Sequence, residues 1–320
     1  MKKFGENWKL VFRRNKATVI SYIFCLGFII AAALVDKKFL SNMNLRNLAR
    51  NVAPMIIVAF AQTMALLMGG IDLSIGAIMS LANVICATMM TDATGSVFLA
   101  IGVSLAVGAA LGLINGVLIT KGNLQPIILT TATSISINGL ALFVLKAPGG
   151  RTNKAFYNFV IRGAANAMPM LIAFLLMIVL AVLLKKTRFG RRVYAVGGSQ
   201  SSATACGINV TQVKILVFMI VGILAAIGGI YLNALISSGD PLCGANYTQR
   251  SIVAAALGGT SLSGGKGGVV GCIAGGLILI IINNILNLMG ITSWYQYIIQ
   301  ACLLVLAVVI SNFQSGKEEN

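Results

Sequence analysis

The chain has 320 residues, 58% of them hydrophobic and only 10% charged, with a mean hydropathy of +0.93. Soluble globular chains carry about 25% charged residues, and this much apolar surface exceeds what one water-soluble core buries, so a lipid bilayer is the expected solvent. The net charge of +17 lies in loops between apolar segments, where Lys and Arg set orientation and meet headgroups; this argues against nucleic acid as a partner.

The N-terminus is basic, with Lys2, Lys3, Lys9, Arg13, Arg14 and Lys16 ahead of an apolar run over 17–35. That run is longer than the apolar part of a usual signal peptide, so it reads as a retained first transmembrane helix. Further apolar segments predict helices near 52–68, 73–91, 96–120, 126–146, 168–185, 213–236, 251–262, 268–289 and 294–311. The expected fold is therefore all-α and polytopic, with about ten transmembrane segments in one domain spanning 1–320. The eighth segment is too short to cross alone. It reads as a half-helix, or as a helix extended into its glycine-rich flank.

Between the second and third segments lies LLMGGIDLSI, residues 66–75. Gly69 and Gly70 end one helix, because glycine tolerates the dihedrals of a tight reversal. Asp72, one of only 7 acidic residues, stands where the next helix begins. Its carboxylate is placed to accept first-turn N–H groups near Ser74 and Ile75 and to meet the positive end of the helix dipole. The competing reading makes Asp72 the coupling carboxylate of an ion-driven carrier.

Gly108, Gly112 and Gly116 form GxxxGxxxG on the fourth segment, and Gly271 and Gly275 repeat that spacing on the ninth. Such faces let helix backbones approach closely. Uncharged polar residues also interrupt the apolar segments. They are Asn115 on the fourth, Thr131, Ser134 and Asn138 on the fifth, and Asn283 and Asn287, one turn apart, on the ninth. They serve either as interhelical hydrogen bonds or as a hydrated path for a polar, uncharged solute. A charged solute would call for intramembrane charge.

The longest loop, about 186–212, reads KTRFGRRVYAVGGSQSSATACGINVTQ. Gly197, Gly198 and Gly207 stand at turn-like positions, and SQSSATAC is suited to a short helix capped by Ser199. So much local design favours a docking surface over a plain connector. If all ten segments cross with the N-terminus inside, the cytoplasmic side collects 15 Lys and Arg and the outside 9. That bias predicts both termini, and this loop, in the cytoplasm.

Enzymatic chemistry is not expected. There is no His, and the six cysteines form no CxxC pair; they read as small buried hydrophobes. GGTSLSGGKGG is not a phosphate-binding loop, because Thr260 stands where its first glycine belongs and Gly267 where its Ser or Thr belongs. No metal, cofactor or catalytic residue is expected, and any ATP hydrolysis would belong to a separate subunit.

Several stretches together resemble one family. GGIDLSIGA (69–77), FGRRVYAVGG (189–198), CGINV (206–210), ALGGTSLSGGKG (256–267) and INNILNLMGI (282–291) followed by Tyr295 and Gln296 are similar to permeases of ribose-type ABC sugar importers. Their order and spacing match across nearly the whole chain. The resemblance implies a multi-pass permease of the bacterial inner membrane that works as a dimer, of identical or related copies, and moves a sugar or sugar-like solute. It implies a cytoplasmic ATP-binding subunit of two fused halves and an extracytoplasmic solute-binding protein. It also implies that 186–212 docks the ATPase, with Gly190, Arg191, Gly197, Gly198, Ser199, Gln200, Gly207 and Asn209 as coupling residues. The chain departs from the family where Thr248 and Arg250 stand in place of the usual acids, and on the fifth segment at IILTT (127–131) and Asn138-Gly139.

Overall fold

A computed structural model of the chain describes residues 16–163, 167–292, 294–296, 298, 299, 301, 302 and 305. Among them all regular structure is helical, with β-pairing limited to one bridge between Gly149 and Gly239. The main helices are α1 (Lys16–Val35), α2 (Asn42–Leu67), α3 (Ile75–Met89), α4 (Thr94–Lys121), α5 (Pro126–Val144) and α6 (Met168–Lys186). They continue as α7 (Arg188–Gly198), α8 (Gln200–Ala205), α9 (Val210–Ile236), α10 (Ala245–Leu257) and α11 (Val269–Leu288). Seven of these, α1, α2, α4, α5, α6, α9 and α11, are long and apolar enough to cross a bilayer. The segment expected at 294–311 lies largely outside the described residues.

An inner and an outer set of helices can be told apart by burial. The most apolar window of α2 is 89% buried, and those of α9 and α11 are 67% and 61%. The windows of α1, α4, α5 and α6 are buried by only 17%, 28%, 22% and 22%, so their apolar faces point outward, as lipid-facing helices require. Helix α9 packs on α4, α3 and α2, while α11 packs on α1, α2 and α10. The short helices α3 and α10 pack within this framework, α3 against α9, α4 and α5 and α10 against α11 and α2.

Glycine sets the closest approaches. A Cβ on Gly112 of α4 would run into the Phe218 carbonyl of α9, and one on Gly222 of α9 into the Gly108 carbonyl of α4. Gly271 and Gly275 of α11 meet the carbonyls of Gly258 and Ala254 at and near the end of α10 in the same way. Without side chains the two backbones touch directly, which is how membrane helices gain dispersion contact where lipid offers no hydrophobic drive.

The structure moves several boundaries expected from hydropathy. Helix α2 starts at Asn42, ten residues before the apolar run, so Arg46 and Arg50 stand on its first turns and not in a loop. Pro54 lies inside it. The short eighth segment is α10, and it extends towards its N-terminus, to Ala245, and not into the glycine flank. It stops because Gly259 adopts a positive φ of 82° and its N–H bonds back to Ala256. Most of the expected loop 186–212 is helix: α7 and α8 occupy it.

The close contact makes a paired prediction. Gly112→Ala should destabilise the detergent-purified protein by the about 1–3 kcal/mol that overpacking costs, read as a lower melting temperature. Gly102→Ala on the same helix, where an added Cβ meets open space, should leave stability unchanged or raise it by up to about 1 kcal/mol. Equal shifts in the two variants would refute the backbone contact.

Candidate functional site

The break between α2 and α3 is built locally. Gly69 takes φ 70°, its N–H bonds the Leu66 carbonyl, and the Gly70 N–H bonds the Ala65 carbonyl. This pair of bonds closes a helix over a left-handed residue, a conformation that costs glycine little. Asp72 follows, nearly fully buried. Its Oδ1 accepts from the Ser74 N–H at 2.7 Å and the Ser74 hydroxyl at 2.6 Å. The carboxylate therefore acts through Ser74, the residue that precedes α3, and not through Ile75. Asp72 lies in the turn beyond the end of α2, where burial pushes its carboxyl above the usual range and the two Ser74 bonds oppose that rise.

Polar groups from four helices close around this turn. Asn115 of α4 donates its Nδ2 to Ser74 Oγ at 2.9 Å. Thr130 of α5 accepts from the Leu73 N–H at 3.0 Å. Gln62 of α2 clasps the Asp72 backbone, with its amide nitrogen 3.0 Å from the carbonyl and its oxygen 3.3 Å from the N–H. On α3 the Gly76 N–H bonds Thr248 Oγ1 of α10 at 3.1 Å. Thr248, one of the departures from the family pattern, thus satisfies a first-turn N–H of α3. Gln62, Ser74, Asn115 and Thr130 are all buried, so each of these bonds replaces water that cannot reach the turn.

A second loop, 258–268, meets the same place. The Gly265 N–H bonds the Leu67 carbonyl at 3.1 Å, and Gly264 lies against Gly69 and Gly197. A Cβ on Gly197 would strike the Leu67 carbonyl. The Tyr194 hydroxyl of α7 donates to the Gly267 carbonyl at 2.9 Å. Three of the stretches that carry the family resemblance, 69–77, 189–198 and 256–267, therefore converge on one glycine junction at one end of the bundle.

On this junction stands the helical pair α7 and α8. Thr187 caps α7 by accepting from the Gly190 N–H at 3.1 Å, and Gly190, Val193 and Val196 are buried beneath it. Ser199 caps α8 by accepting from the Ser202 N–H at 3.2 Å. Gly207, with φ 76°, closes α8 with the same pair of bonds seen at Gly69. Asn209 caps α9 through the Gln212 N–H at 3.0 Å, and Gln200 accepts from Lys214 Nζ at 2.9 Å. Outward, Arg191, Gly198, Gln200, Ser201 and Ser202 are exposed. The pair presents a fixed, exposed ridge, cationic at Arg188, Arg191 and Arg192 of α7 and uncharged on α8, whose base is keyed into the end of α2.

The residues expected on a solute path do not share one setting. Asn115 is in the knot around Ser74. Thr131 is exposed on α5 and bonds back to the Ile127 carbonyl, while Ser134 and Asn138 are half-buried on the same helix. Asn283 and Asn287 lie on α11, and Asn287 Oδ1 accepts from Gln296 Nε2 at 2.7 Å. Helix α5 packs on α3 and α4, and α11 on other neighbours. Sequence reasoning passed over Gln62, Gly264 and Gly265. A lone amide in the apolar stretch AFAQTMALL was the one signal available for Gln62.

Comparison with known proteins gives consistent matches. The family model described as the permease component of the branched-chain amino acid transport system matches residues 44–308. The chain is 40% identical over 296 residues to the ribose import permease protein RbsC of Bacillus subtilis (strain 168), covering 90% of each chain. It is 34% identical over 298 residues to RbsC of Escherichia coli (strain K12), covering 91% of this chain and 92% of the relative. It is 30% identical over 317 residues to the L-arabinose ABC transporter permease protein AraH of Azospirillum brasilense, covering 98% and 91%. No solved structure matches the chain.

The knot separates two substitutions. Ser74→Ala strands the Asn115 amide and leaves the Asp72 carboxylate with one of its two bonds, and should cost about 1–3 kcal/mol of stability, read as lost melting temperature and folded yield. Asp72→Asn keeps an acceptor for the Ser74 N–H and should stay within about 1 kcal/mol of the wild type, with most transport retained. A normally inserted Asp72→Asn protein with no transport would instead make Asp72 a carrier of charge.

Proposed function

The chain belongs to the family of the branched-chain amino acid transport system permease component, and we infer that it is the membrane-spanning subunit of an ATP-driven importer for a sugar or sugar-like solute. The single observation that carries this reading is 40% identity to a ribose import permease over 90% of both chains. Relatives whose names specify allose, arabinose and galactose widen the solute class to monosaccharides without choosing among them. It is a multi-pass protein of the bacterial inner membrane. It translocates and does not itself hydrolyse ATP, and it works with an ATP-binding and a solute-binding partner.

Within that function, α7 and α8 are the docking site for the ATP-binding subunit. Three features support this: an exposed ridge, buried anchoring residues, and a base wedged against Leu67. Gly197 and Gly265 would pass a push on α7 directly to the end of α2 and the Asp72 turn. The cytoplasmic placement of both termini and of this ridge rests on the excess of Lys and Arg on that side. Ten crossings, a partner ATPase of two fused halves and a dimer of permeases complete the proposed assembly. Rocking of the two permease copies would open a path at their interface. Thr131, Ser134 and Asn138 on the outer helix α5, with Asn283 and Asn287, remain the residues proposed to line it. Asn115 instead holds the turn.

The reading over an ion-coupled carrier is tested by uptake into de-energised vesicles. Uptake of a monosaccharide should require the ATPase, the solute-binding protein and ATP, and should be indifferent to a proton gradient. Uptake driven by a gradient with no ATPase present would overturn it. The docking site is tested at Gly198, which is exposed, with open space where a Cβ would stand. Gly198→Trp should leave the permease folded and raise ATP hydrolysed per solute moved, or release the ATPase from the complex. A fully coupled Gly198→Trp transporter would place docking elsewhere.

A further inference from the structure

The charge distribution has a feature that transport does not account for. Between residues 93 and 239 the sequence contains no Asp or Glu, yet it carries eleven Lys and Arg. Five of these fall within eight residues: Lys185, Lys186, Arg188, Arg191 and Arg192, all exposed. The chain offers this cluster no neighbouring acid in sequence, so its counter-charge has to come largely from outside.

The helix that delivers the cluster shows where it sits. Leu171, Phe174, Leu175, Ile178, Val179 and Val182 of α6 are exposed at a spacing of three and four residues, one continuous apolar stripe. Ala173, Leu180 and Leu184 are buried on the other side. The stripe belongs to a span of mean hydropathy 2.6 and is the face that meets lipid tails. Three and four residues beyond Val182, the same stripe ends in Lys185 and Lys186. Their ammonium groups are thus held at the edge of the hydrocarbon, facing lipid and not the bundle. The chain turns at Thr187, whose φ of −95° and ψ of 162° lie outside the helical range, and resumes as α7. The buried face of α7, Gly190, Val193 and Val196, seats it on the bundle, which leaves Arg188 and Arg192 on the opposite, outward side.

We propose that Lys185, Lys186, Arg188 and Arg192 form a binding site for the headgroups of anionic phospholipids, on the lipid-facing side of α6 where it enters α7. The division of charge supports this. Helix α8, on the ridge proposed to dock the ATPase, has no charged residue. The cations gather instead at the end of the apolar, lipid-facing stripe and on α7, the half of the ridge next to it. A phosphate diester of a membrane lipid supplies both the negative charge and the location. Because Thr187 caps α7 directly after the site, a bound headgroup would fix the angle at which α7 leaves the membrane. Anionic lipid then becomes a positioning ligand for the ridge. The site does not depend on which solute is carried or on which partner occupies α8.

The test uses the full-length permease with Lys185→Gln and Lys186→Gln combined, which leaves α7 unchanged. Wild type and variant are extracted from vesicles of equal parts phosphatidylcholine and phosphatidylglycerol, and retained lipids are counted by native mass spectrometry. The wild type should keep phosphatidylglycerol over phosphatidylcholine, and the preference should fall with added salt. Each cation near an anionic surface is worth about fivefold, so the double variant should lose most of the preference. Equal phosphatidylglycerol retention by wild type and variant would overturn the site. A second measurement guards against a partner explanation. Co-purification of the ATP-binding subunit in a lipid-free detergent should be the same for both proteins. If the variant loses the subunit there, the cations serve that protein and not lipid, and the proposal fails. Melting temperature in detergent controls for folding, and Lys185→Arg with Lys186→Arg should restore the lipid preference.

Discussion

A backbone that stops being helical inside an apolar bundle frees N–H and C=O groups that no water can take, and each left unpaired costs free energy. Residues 68–74 form such an interruption, and the partly exposed loop 258–268 lies against it and supplies a donor to the end of α2. The Leu67 carbonyl at the end of α2 takes the Gly265 N–H. Asp72 takes the Ser74 N–H and hydroxyl, and Gln62 takes both ends of the Asp72 peptide. Thr130 and Thr248 take the N–H groups of Leu73 and Gly76. These groups come from α2, α3, α5 and α10, with Asn115 of α4 holding Ser74, so five helices are registered by one set of hydrogen bonds.

That set explains why glycine is concentrated where it is. Gly69, Gly197, Gly264 and Gly265 lie against one another's backbones, and a side chain on Gly197 would sit inside the Leu67 carbonyl. Dense backbone contact is stiff, because there are no rotatable side chains to absorb a displacement. A junction of this kind transmits movement of α7 to α2 and α3 better than it dissipates it. It lies between the ridge proposed to meet the ATP-binding subunit and the inner helices, the position a coupling element must occupy. On its outer flank, the cations at the end of α6 give the same ridge a second attachment, to the membrane surface.

The polar residues of the apolar segments divide by burial. Those with full burial, such as Asn115 and Thr130, are consumed in holding the turn. Those with partial exposure, such as Thr131, Ser134 and Asn138, stand on a helix whose outer face is open. A polar side chain already satisfied inside the protein has little to offer a passing solute, whereas an exposed one such as Thr131, whose proton goes to the Ile127 carbonyl, still presents lone pairs.

The sequence by itself determined that this is a helical membrane protein. It located nearly all the long helices to within a few residues, because a bilayer fixes both the length and the composition of what crosses it. It also marked the glycine faces of α4 and α11 and the short helix behind Ser199, since these are local patterns read along one strand of text. It did not show that α2 begins at Asn42 or that α7 is a helix. Those segments carry Asn, Arg and Gly, and their helicity depends on faces buried against other elements. Above all, the tertiary structure alone showed which groups Asp72 and Asn115 bond. From sequence an acid and an amide in apolar surroundings fit either transport or packing. Their bonds run to Ser74 and Gln62, with Thr130 on the neighbouring Leu73 N–H, and contacts between residues up to 57 positions apart are set by how helices pack and not by any local pattern.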